Sequence, residues 1–469
     1  MRGFAVPRSG MHDLTLANVS TGVPSGEGGR TELYLPLGCL YLVSALERAG
    51  IDVDFRDYQV YSANLPYPLD MESFQSFLAD AARIVGISCM VSMLPFVFLG
   101  TKLLKERDPD RVIMLGGPGP SGVDEVILRA APWIDVVVRG EGEETIVEVV
   151  RALSAGESLD AIPGIAYRDR SGVHRNPARE RIRDLDGIAF PAYDRVSLAE
   201  YSNISIVTGR GCPYHCSFCD VGPLWGNTTR LRSISNVMGE IELLKNRFGQ
   251  KRINVADDTF DLKRSRTEEF CRAAKGFGVD WTCLVRIDLM DEALLDLMAR
   301  SGCDAVFLGI ESGSDAVLRK IDKRFTIKEA TEKAELATRH MKKVITSYIW
   351  GFPFESMEDF KSTILSVVSM WYLGARAGLK LLSPMPLSKL GIEYRDRLEF
   401  REDLCSVFAA LGNRVPGIFT GRTGLPEEFK TIIKANPDVF AGFYYIVHDG
   451  LEEKARYLAR FSENHKIYV

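Results

Sequence analysis

Gly211-Cys-Pro-Tyr-His-Cys-Ser-Phe-Cys-Asp220 carries three thiols, Cys212, Cys216 and Cys219, in a C-x3-C-x2-C knot. A knot this compact and this rich in sulfur favours soft metals and iron–sulfur clusters over hard cations. Three thiolates on a four-iron cluster leave one iron open, and an open iron can take a small chelating ligand. A structural zinc site needs a second ligand pair at a set distance. The six remaining cysteines, Cys39, Cys89, Cys271, Cys283, Cys303 and Cys405, are isolated in sequence and offer no such pair. In a reducing compartment they read as small buried hydrophobes. His215, between Tyr214 and Cys216, suits packing or an outer contact better than ligation.

Outward from the knot, strand and helix patterns alternate from Ile204 to about Pro386. Strands are expected at Ile204 to Thr208, Arg252 to Ala256, Thr282 to Val285, Ala305 to Gly309, Val344 to Trp350 and Leu379 to Ser383. Six strand–helix units make an open, partial version of the eight-fold barrel, whose active sites lie at the carboxyl ends of the strands. The unusual residues fall there. The cysteine loop follows the first strand, Asp257-Asp-Thr-Phe260 the second, Glu311-Ser-Gly313 the fourth, Gly351-Phe-Pro-Phe-Glu355 the fifth and Ser383-Pro-Met-Pro386 the sixth, while Arg286-Ile-Asp288 ends the third.

With Phe218 just before its last cysteine, the knot resembles the signature of the radical S-adenosylmethionine (SAM) superfamily, and the resemblance covers about residues 200 to 390. It implies a 4Fe-4S cluster on Cys212, Cys216 and Cys219, whose open iron chelates the amino and carboxylate groups of SAM. Reduction would then cleave the sulfonium and yield a 5'-deoxyadenosyl radical. The protein's share of such chemistry is binding, orientation and exclusion of water. By the superfamily's placement, Asp257 or Asp258 would accept hydrogen bonds from the methionine ammonium, and Glu311 and Ser312 would bind ribose hydroxyls or the amino-acid end. Arg286 would pair with the carboxylate in the two-point manner of guanidinium. Phe218 and the apolar turns after strands five and six, Gly351 among them, would hold the adenine. Taken singly, each residue also fits a loop carboxylate or an interstrand salt bridge.

The first third of the chain alternates in the same way. Leu14 to Val19, Val53 to Tyr58, Ile84 to Ser88, Val112 to Leu115 and Val136 to Val138 read as strands; Leu37 to Ala49, Met71 to Ala82, Phe96 to Glu106 and Val123 to Ala130 read as helices. This pattern predicts right-handed parallel crossovers and a doubly wound, Rossmann-like sheet. Its ligand would sit beyond the strands' carboxyl ends, where Ser88, Gly116-Gly-Pro-Gly-Pro-Ser-Gly122 and Arg139-Gly-Glu-Gly-Glu-Glu144 stand. Glycines there let backbone approach a ligand, although tight turns need glycine with or without one. Pro36-Leu-Gly38, Ser88, Gly116-Gly117 and Gly140-Glu-Gly-Glu143, in that order, resemble the cobalamin-binding domain that precedes many radical SAM cores. The resemblance places cobalamin against Leu37, Gly38, Ser88, Gly116, Gly117, Gly119, Gly140 and Glu141. The D-x-H-x-x-G motif of the methionine synthase branch is missing and Val19 to Pro36 holds no histidine, so the lower face of cobalt is expected to lack a histidine ligand.

Between these regions, Ile165 to Arg168 and Val173 to Arg175 flank Asp169-Arg-Ser-Gly172 as a small hairpin whose turn does not match a tight two-residue type. Asp184 to Asp194 reads as a linker whose aspartates form turns. The expected division is 1–155 cobalamin-binding, 156–199 linker, 200–390 partial barrel and 391–469 a helical tail, with helices at Arg395 to Leu411 and Leu451 to Phe461. The aromatic cluster Phe440-Ala-Gly-Phe-Tyr-Tyr-Ile446 is expected to pack on the barrel's open side, with closure over a substrate as the other reading.

At 469 residues, 46% hydrophobic and 26% charged, the chain suits two or three domains, and a net charge of -5 presents no large basic surface for nucleic acid. Ile87 to Gly100 is too short and too interrupted to span a bilayer, and Met1-Arg-Gly-Phe-Ala-Val-Pro7 lacks a signal-peptide core. A cytoplasmic enzyme is expected, drawing electrons from a flavodoxin or ferredoxin and acting on a small organic molecule. The resemblance implies methylation of an unactivated carbon or phosphorus centre of a specialised metabolite. Radical cyclisation, ring contraction or carbon–carbon coupling is the alternative within the same architecture. A transfer-RNA methylthiotransferase would need further N-terminal cluster cysteines and a basic RNA-binding tail. A cobalamin sensor would have no use for the cysteine knot.

Overall fold

The computed structural model describes residues 12–21, 23–24, 31–401 and 426–465. Cys405 and the expected Arg395 to Leu411 helix beyond residue 401 lie outside them. The described residues form two compact units, one running to Ser202 and including 426–443, the other running from Asn203 to 401 and from Tyr444 onward.

In the first unit, β1 (Leu14–Val19), β2 (Val53–Asp57), β3 (Ile84–Cys89), β4 (Val112–Gly116) and β5 (Val136–Val138) are parallel and stand in the order β2-β1-β3-β4-β5. The apolar runs of β3, β4 and β5 mark strands buried on both faces, β1 is buried along most of its length, and the edge strand β2, Val-Asp-Phe-Arg-Asp, is mostly half-buried. The covering helices are α1 (Leu37–Arg48), α2 (Met71–Phe77), α3 (Leu94–Arg107), α4 (Asp124–Ala130) and α5 (Glu143–Ala155). Leu14, Leu16, Val43, Leu46, Val136 and Val149 share one core. Strand order reverses between β1 and β3, the switch point at which open α/β sheets bind ligands.

Two expectations change here. Helix α2 stops at Phe77 and not at Ala82, because the carbonyls that would continue it are taken by cations: Arg56 binds the Phe77 oxygen and Arg111 those of Leu78 and Ala79. The hairpin, β6 (Ile165–Asp169) and β7 (Gly172–Arg175), extends the first sheet antiparallel to β5. Its turn is a tight two-residue one after all. Asp169 pairs directly with Gly172, and the Asp169 carboxylate accepts from the backbone of Ser171 and Gly172 at 2.8 and 3.1 Å. In the linker, Asp184 accepts from Asp186 N at 3.0 Å, a turn former as expected.

The second unit is a six-stranded all-parallel sheet in chain order: β8 (Ser205–Ile206), β9 (Arg252–Val255), β10 (Asp280–Val285), β11 (Cys303–Glu311), β12 (Lys343–Trp350) and β13 (Arg376–Leu381). Helices α6 (Ile234–Phe248), α7 (Arg264–Ala274), α8 (Glu292–Arg300), α9 (Ile327–His340) and α10 (Met357–Tyr372) intervene. Ser233 and Asp291 cap α6 and α8, and capping boxes open α9 (Thr326, Glu329) and α10 (Ser356, Asp359). Consecutive strands lying side by side, each after a helix, give the partial barrel with its loops gathered at the carboxyl ends.

The tail departs from expectation. Arg395–Arg397 is a single 3-10 turn and Leu398–Glu399 a strand paired with Tyr445–Ile446, so the first tail helix does not form over its described residues. Helix α11 (Glu427–Ala435) and the rings of Phe440 and Phe443 belong to the first unit, where Phe429 meets Phe96 at 6.2 Å and Phe440 meets Phe98 at 5.3 Å. The aromatic cluster is therefore divided, and only its Tyr444–Ile446 part packs with the barrel unit. Helix α12 (Leu451–His465) joins that unit through buried Lys454, which pairs with buried Glu355 at 3.2 Å.

Candidate active site

The ladder of β8 ends at Ile206 because the next amides serve another partner. Asp257 Oδ1 accepts from Thr208 N at 2.6 Å and from Gly209 N at 3.1 Å, and its Oδ2 accepts from Thr208 Oγ1 at 2.5 Å. Arg266 grips the Thr208 carbonyl at 2.9 Å. Burial pushes the Asp257 carboxyl up to about 6 against these hydrogen bonds. Asp257 thus holds the entry to the cysteine loop and has its oxygens occupied by the protein's own donors. Asp258 Oδ2 accepts from Gly211 N at 3.1 Å. Gly211 must be glycine: its φ is +92, and a Cβ would stand 2.2 Å from the Thr228 carbonyl.

The three cysteines of this loop are half-buried. Cys212 Sγ lies 3.7 Å from Thr259 Oγ1, and Cys219 Sγ accepts from Val221 N at 3.4 Å. Burial pushes the Cys219 thiol up to about 11; the Val221 amide opposes this, and repulsion from Cys216 and Cys212 adds to it. Among the described residues no three His, Cys, Asp or Glu side chains close around a single ion. A four-iron cluster asks instead for thiols on a rim, since each thiolate binds a different iron from outside and the three sulfurs therefore stand farther apart than the ligands of one ion. Three thiols, one loop and no fourth ligand fit such a cluster. Elsewhere the loop is tied down by Ser217 N on the Ile321 carbonyl at 3.3 Å and by Leu390 N on the Ser217 carbonyl at 2.9 Å.

The other predicted residues stand at the same strand ends, more fully engaged than their sequence implied. Arg286 does not present a free fork: Asp288 takes it with two bonds of 3.0 Å, and the guanidinium lies 3.5 Å from the centre of the Tyr214 ring. That stack, inside the cysteine knot, had no sequence signal because Tyr214 and Arg286 are far apart in the chain. Ser312 is fully buried, its hydroxyl 3.1 Å from Thr363 Oγ1 and accepting from Ser314 N at 3.1 Å. Glu311 holds φ +75, rare for a residue other than glycine. Gly351, at φ +85, donates its N–H to Glu355 at 3.0 Å. Phe218 faces Phe352 edge-on at 6.2 Å, and Phe352 stacks on Phe354 at 5.7 Å, an apolar wall suited to a purine. Asp261, absent from the sequence reading, is buried with Oδ2 unpartnered and Oδ1 accepting from Arg286 N at 3.0 Å.

In the first unit the predicted positions line the carboxyl edge of the sheet. Leu37 and Gly38 open α1, Ser88 sits near the end of β3, Gly116 ends β4 with Gly117 and Gly119 after it, and Gly140 and Glu141 follow β5. They divide by surroundings. A Cβ on Gly38 or Gly140 would meet nothing within 4 Å. At Gly117, φ +89, it would meet Ser88 Oγ at 2.8 Å, and at Gly119 the Cys89 carbonyl at 2.8 Å. Gly117 and Gly119 are thus required by packing against β3. Glu141 is buried and accepts from Ile182 N at 3.0 Å, which commits it to the chain that follows the hairpin. Open space over Gly38 and Gly140 at a switch-point edge fits a flat, bulky ligand such as cobalamin.

The radical SAM superfamily model matches residues 206–367, which contain the cysteine loop and the strand ends through β12. The B12 binding domain model matches residues 31–150. An uncharacterized methyltransferase of Pyrococcus horikoshii is 32% identical over 336 residues, covering 70% of this chain and 72% of the relative. The chain belongs to the radical SAM superfamily. This radical SAM enzyme carries a B12 binding domain, and its cofactors are a 4Fe-4S cluster, SAM and cobalamin. The anaerobic magnesium-protoporphyrin IX monomethyl ester cyclase of Rubrivivax gelatinosus is 29% identical over 401 residues, 80% of this chain and 70% of that one. In fold the enzyme is similar to TsrM, a radical SAM methyltransferase of Kitasatospora setae solved with cobalamin and a 4Fe-4S cluster, at a TM-score of 0.65 and 20% identity over 82% of this chain and 78% of that one. No helix among the described residues is long and apolar enough to cross a membrane.

Proposed function

We propose that this radical SAM enzyme transfers a methyl group from SAM, by way of cobalamin, to an unactivated carbon or phosphorus centre of a small organic molecule. The observation that carries the reading is a cysteine triad and a B12 binding domain in one chain whose relative at 32% identity is a methyltransferase. When bound, the cluster with SAM supplies hydrogen abstraction, and cobalamin supplies a carrier for the methyl group. In the barrel unit, Cys212, Cys216 and Cys219 would hold the cluster, and Asp257 and Asp258 fix the loop that carries them. Glu311 and the Asp258 region would receive SAM's polar groups, with Phe218 and the Gly351 turn against its adenine. Tyr214 blocks Arg286 on one face and Asp288 occupies its fork, so its part is to hold the cysteine loop unless SAM's carboxylate displaces Asp288. In the first unit, Leu37, Gly38, Ser88, Gly116 and Gly140 would border cobalamin. The domains on this reading are 1–155 for cobalamin, 156–199 as a linker whose hairpin joins the first sheet, 200–390 for SAM and 391–469 as a tail divided between the two units. A flavodoxin or ferredoxin would supply electrons in a reducing cytoplasm, and no nucleic acid would take part.

The test is anaerobic reconstitution with iron, sulfide and hydroxocobalamin, followed by SAM carrying a labelled methyl group. About four irons and one retained cobalamin per chain are expected, with the label passing to a small-molecule acceptor. The similarity to a cyclase over 401 residues favours one second reading, radical ring formation without methyl transfer. Consumption of SAM to 5'-deoxyadenosine with no label transferred to substrate would select it.

A further inference from the structure

Lys323 was not among the residues read from the sequence. It lies in the turn after the short helix Asp315–Lys320, with its side chain 8% exposed. Its ammonium donates to the Gly309 carbonyl at 2.8 Å and to Glu311 Oε1 at 3.2 Å, and it stands 5.9 Å from the centre of the Phe218 ring. The other Glu311 oxygen accepts from Ser347 Oγ at 3.3 Å. The register of β11 against β12 slips between Gly309 and Glu311. This irregularity, with φ +75 at Glu311, folds the carboxylate back over Gly309, where a Cβ would stand 2.3 Å from Oε1 and 3.4 Å from Lys323 Nζ. A non-glycine residue keeps such a conformation only where its surroundings enforce it. Two residues before Lys323, the Ile321 carbonyl accepts from Ser217 N at 3.3 Å, between Cys216 and Phe218, and Asp322 at φ +61 turns the chain between the two contacts.

We propose that Lys323 is the positioning residue of the SAM site: it holds the strained Glu311 carboxylate in place and, through the same turn's bond to Ser217, registers it against the cluster loop. The inference rests on the reading of Glu311 as a SAM contact. A buried ammonium with a carboxylate, a carbonyl and an aromatic face as partners cannot be replaced by a neutral side chain without freeing that carboxylate.

The experiment measures SAM affinity of the cluster-loaded protein from the change that SAM makes in the electron paramagnetic resonance of the reduced cluster, a readout that needs no methyl transfer. Lys323→Met should keep its iron and bind SAM about tenfold to a hundredfold more weakly, the usual effect of losing an outer partner. Lys323→Arg should recover most of the affinity, and Lys323→Met should add little to Glu311→Gln because both act through one carboxylate. If Lys323→Met does not load iron, Lys323→Gln with Glu311→Gln, which leaves no buried charge, should bind SAM within about twofold of Glu311→Gln alone, and a further loss of about tenfold or more in the double variant overturns the proposal. Iron retained with affinity within twofold of the parent, or full additivity with Glu311→Gln, overturns the proposal while the Glu311 reading stands. Unchanged affinity in Glu311→Gln itself defeats that reading and the proposal with it.

Discussion

The two sheets bear their functional loops at the same ends of their strands and use them in opposite ways. At the carboxyl ends of the barrel unit the polar side chains are already engaged: Asp257 with Thr208, Arg286 with Asp288, Ser312 with Thr363, Glu355 with Lys454. At the edge of the first sheet the exposed elements are backbone, and Gly38 and Gly140 leave open space where side chains would stand. A small zwitterionic cofactor beside a cluster demands charges fixed in advance, because reorganising them at the moment of reaction is expensive. A large flat cofactor demands room, and glycine supplies it.

The sharpest way to break the contrast is Cys216→Ala. Loss of the cluster and of all SAM cleavage is expected while cobalamin is retained, as read from iron content and the visible spectrum; SAM cleavage at the parent rate in this variant would sink the assignment. Next in size is Lys454→Met, which leaves the buried Glu355 carboxylate with the Gly351 amide but without its cation. A loss of about 3–5 kcal/mol is expected in urea unfolding followed by tryptophan fluorescence, with Trp281 and Trp350 as buried reporters.

Asp261 sharpens the comparison through pH. Burial pushes its carboxyl up from 3.8 to about 7, opposed by the Arg286 amide. The folded chain therefore holds this proton more tightly than the unfolded chain. Its contribution is fully present below the unfolded value and is lost as pH rises through about 7. Asp261→Asn should flatten the stability profile between those limits, by at most about 4 kcal/mol. An identical slope in parent and variant would show that Asp261 is ionised throughout. The smallest effects divide the glycines. Gly117→Ala should cost about 1–3 kcal/mol for its backbone conformation and its collision with Ser88, whereas Gly38→Ala should change stability by less than about 1 kcal/mol. A bulkier Gly38→Leu should keep the melting curve and lose cobalamin. Equal stability losses at the two positions would remove the distinction between packing and ligand-facing glycines.

Both parallel sheets were legible because their strands are short apolar runs separated by helical periodicity, and the cysteine spacing is local. What escaped depended on distant partners. Helix α2 ends early because Arg56 and Arg111 bind its last carbonyls from elsewhere in the chain. The Leu398–Glu399 strand exists because Tyr445–Ile446 comes to meet it, and an arginine-rich segment carries no sign of that encounter. The hairpin turn was misjudged because the Asp169 carboxylate, and not the usual glycine pattern, stabilises it.

The sequence by itself determined the spacing of the three cysteines, the order of strands and helices, and the strand-end loops proposed to bear the function, since each is written in spacing over a few residues. Only the tertiary structure decided which polar side chains remain open to a ligand and which are spent within the protein. Hydrogen bonds and ion pairs such as Arg286 with Asp288, or Lys323 with Glu311 across a break in strand register, depend on distances and directions in space that no periodicity encodes.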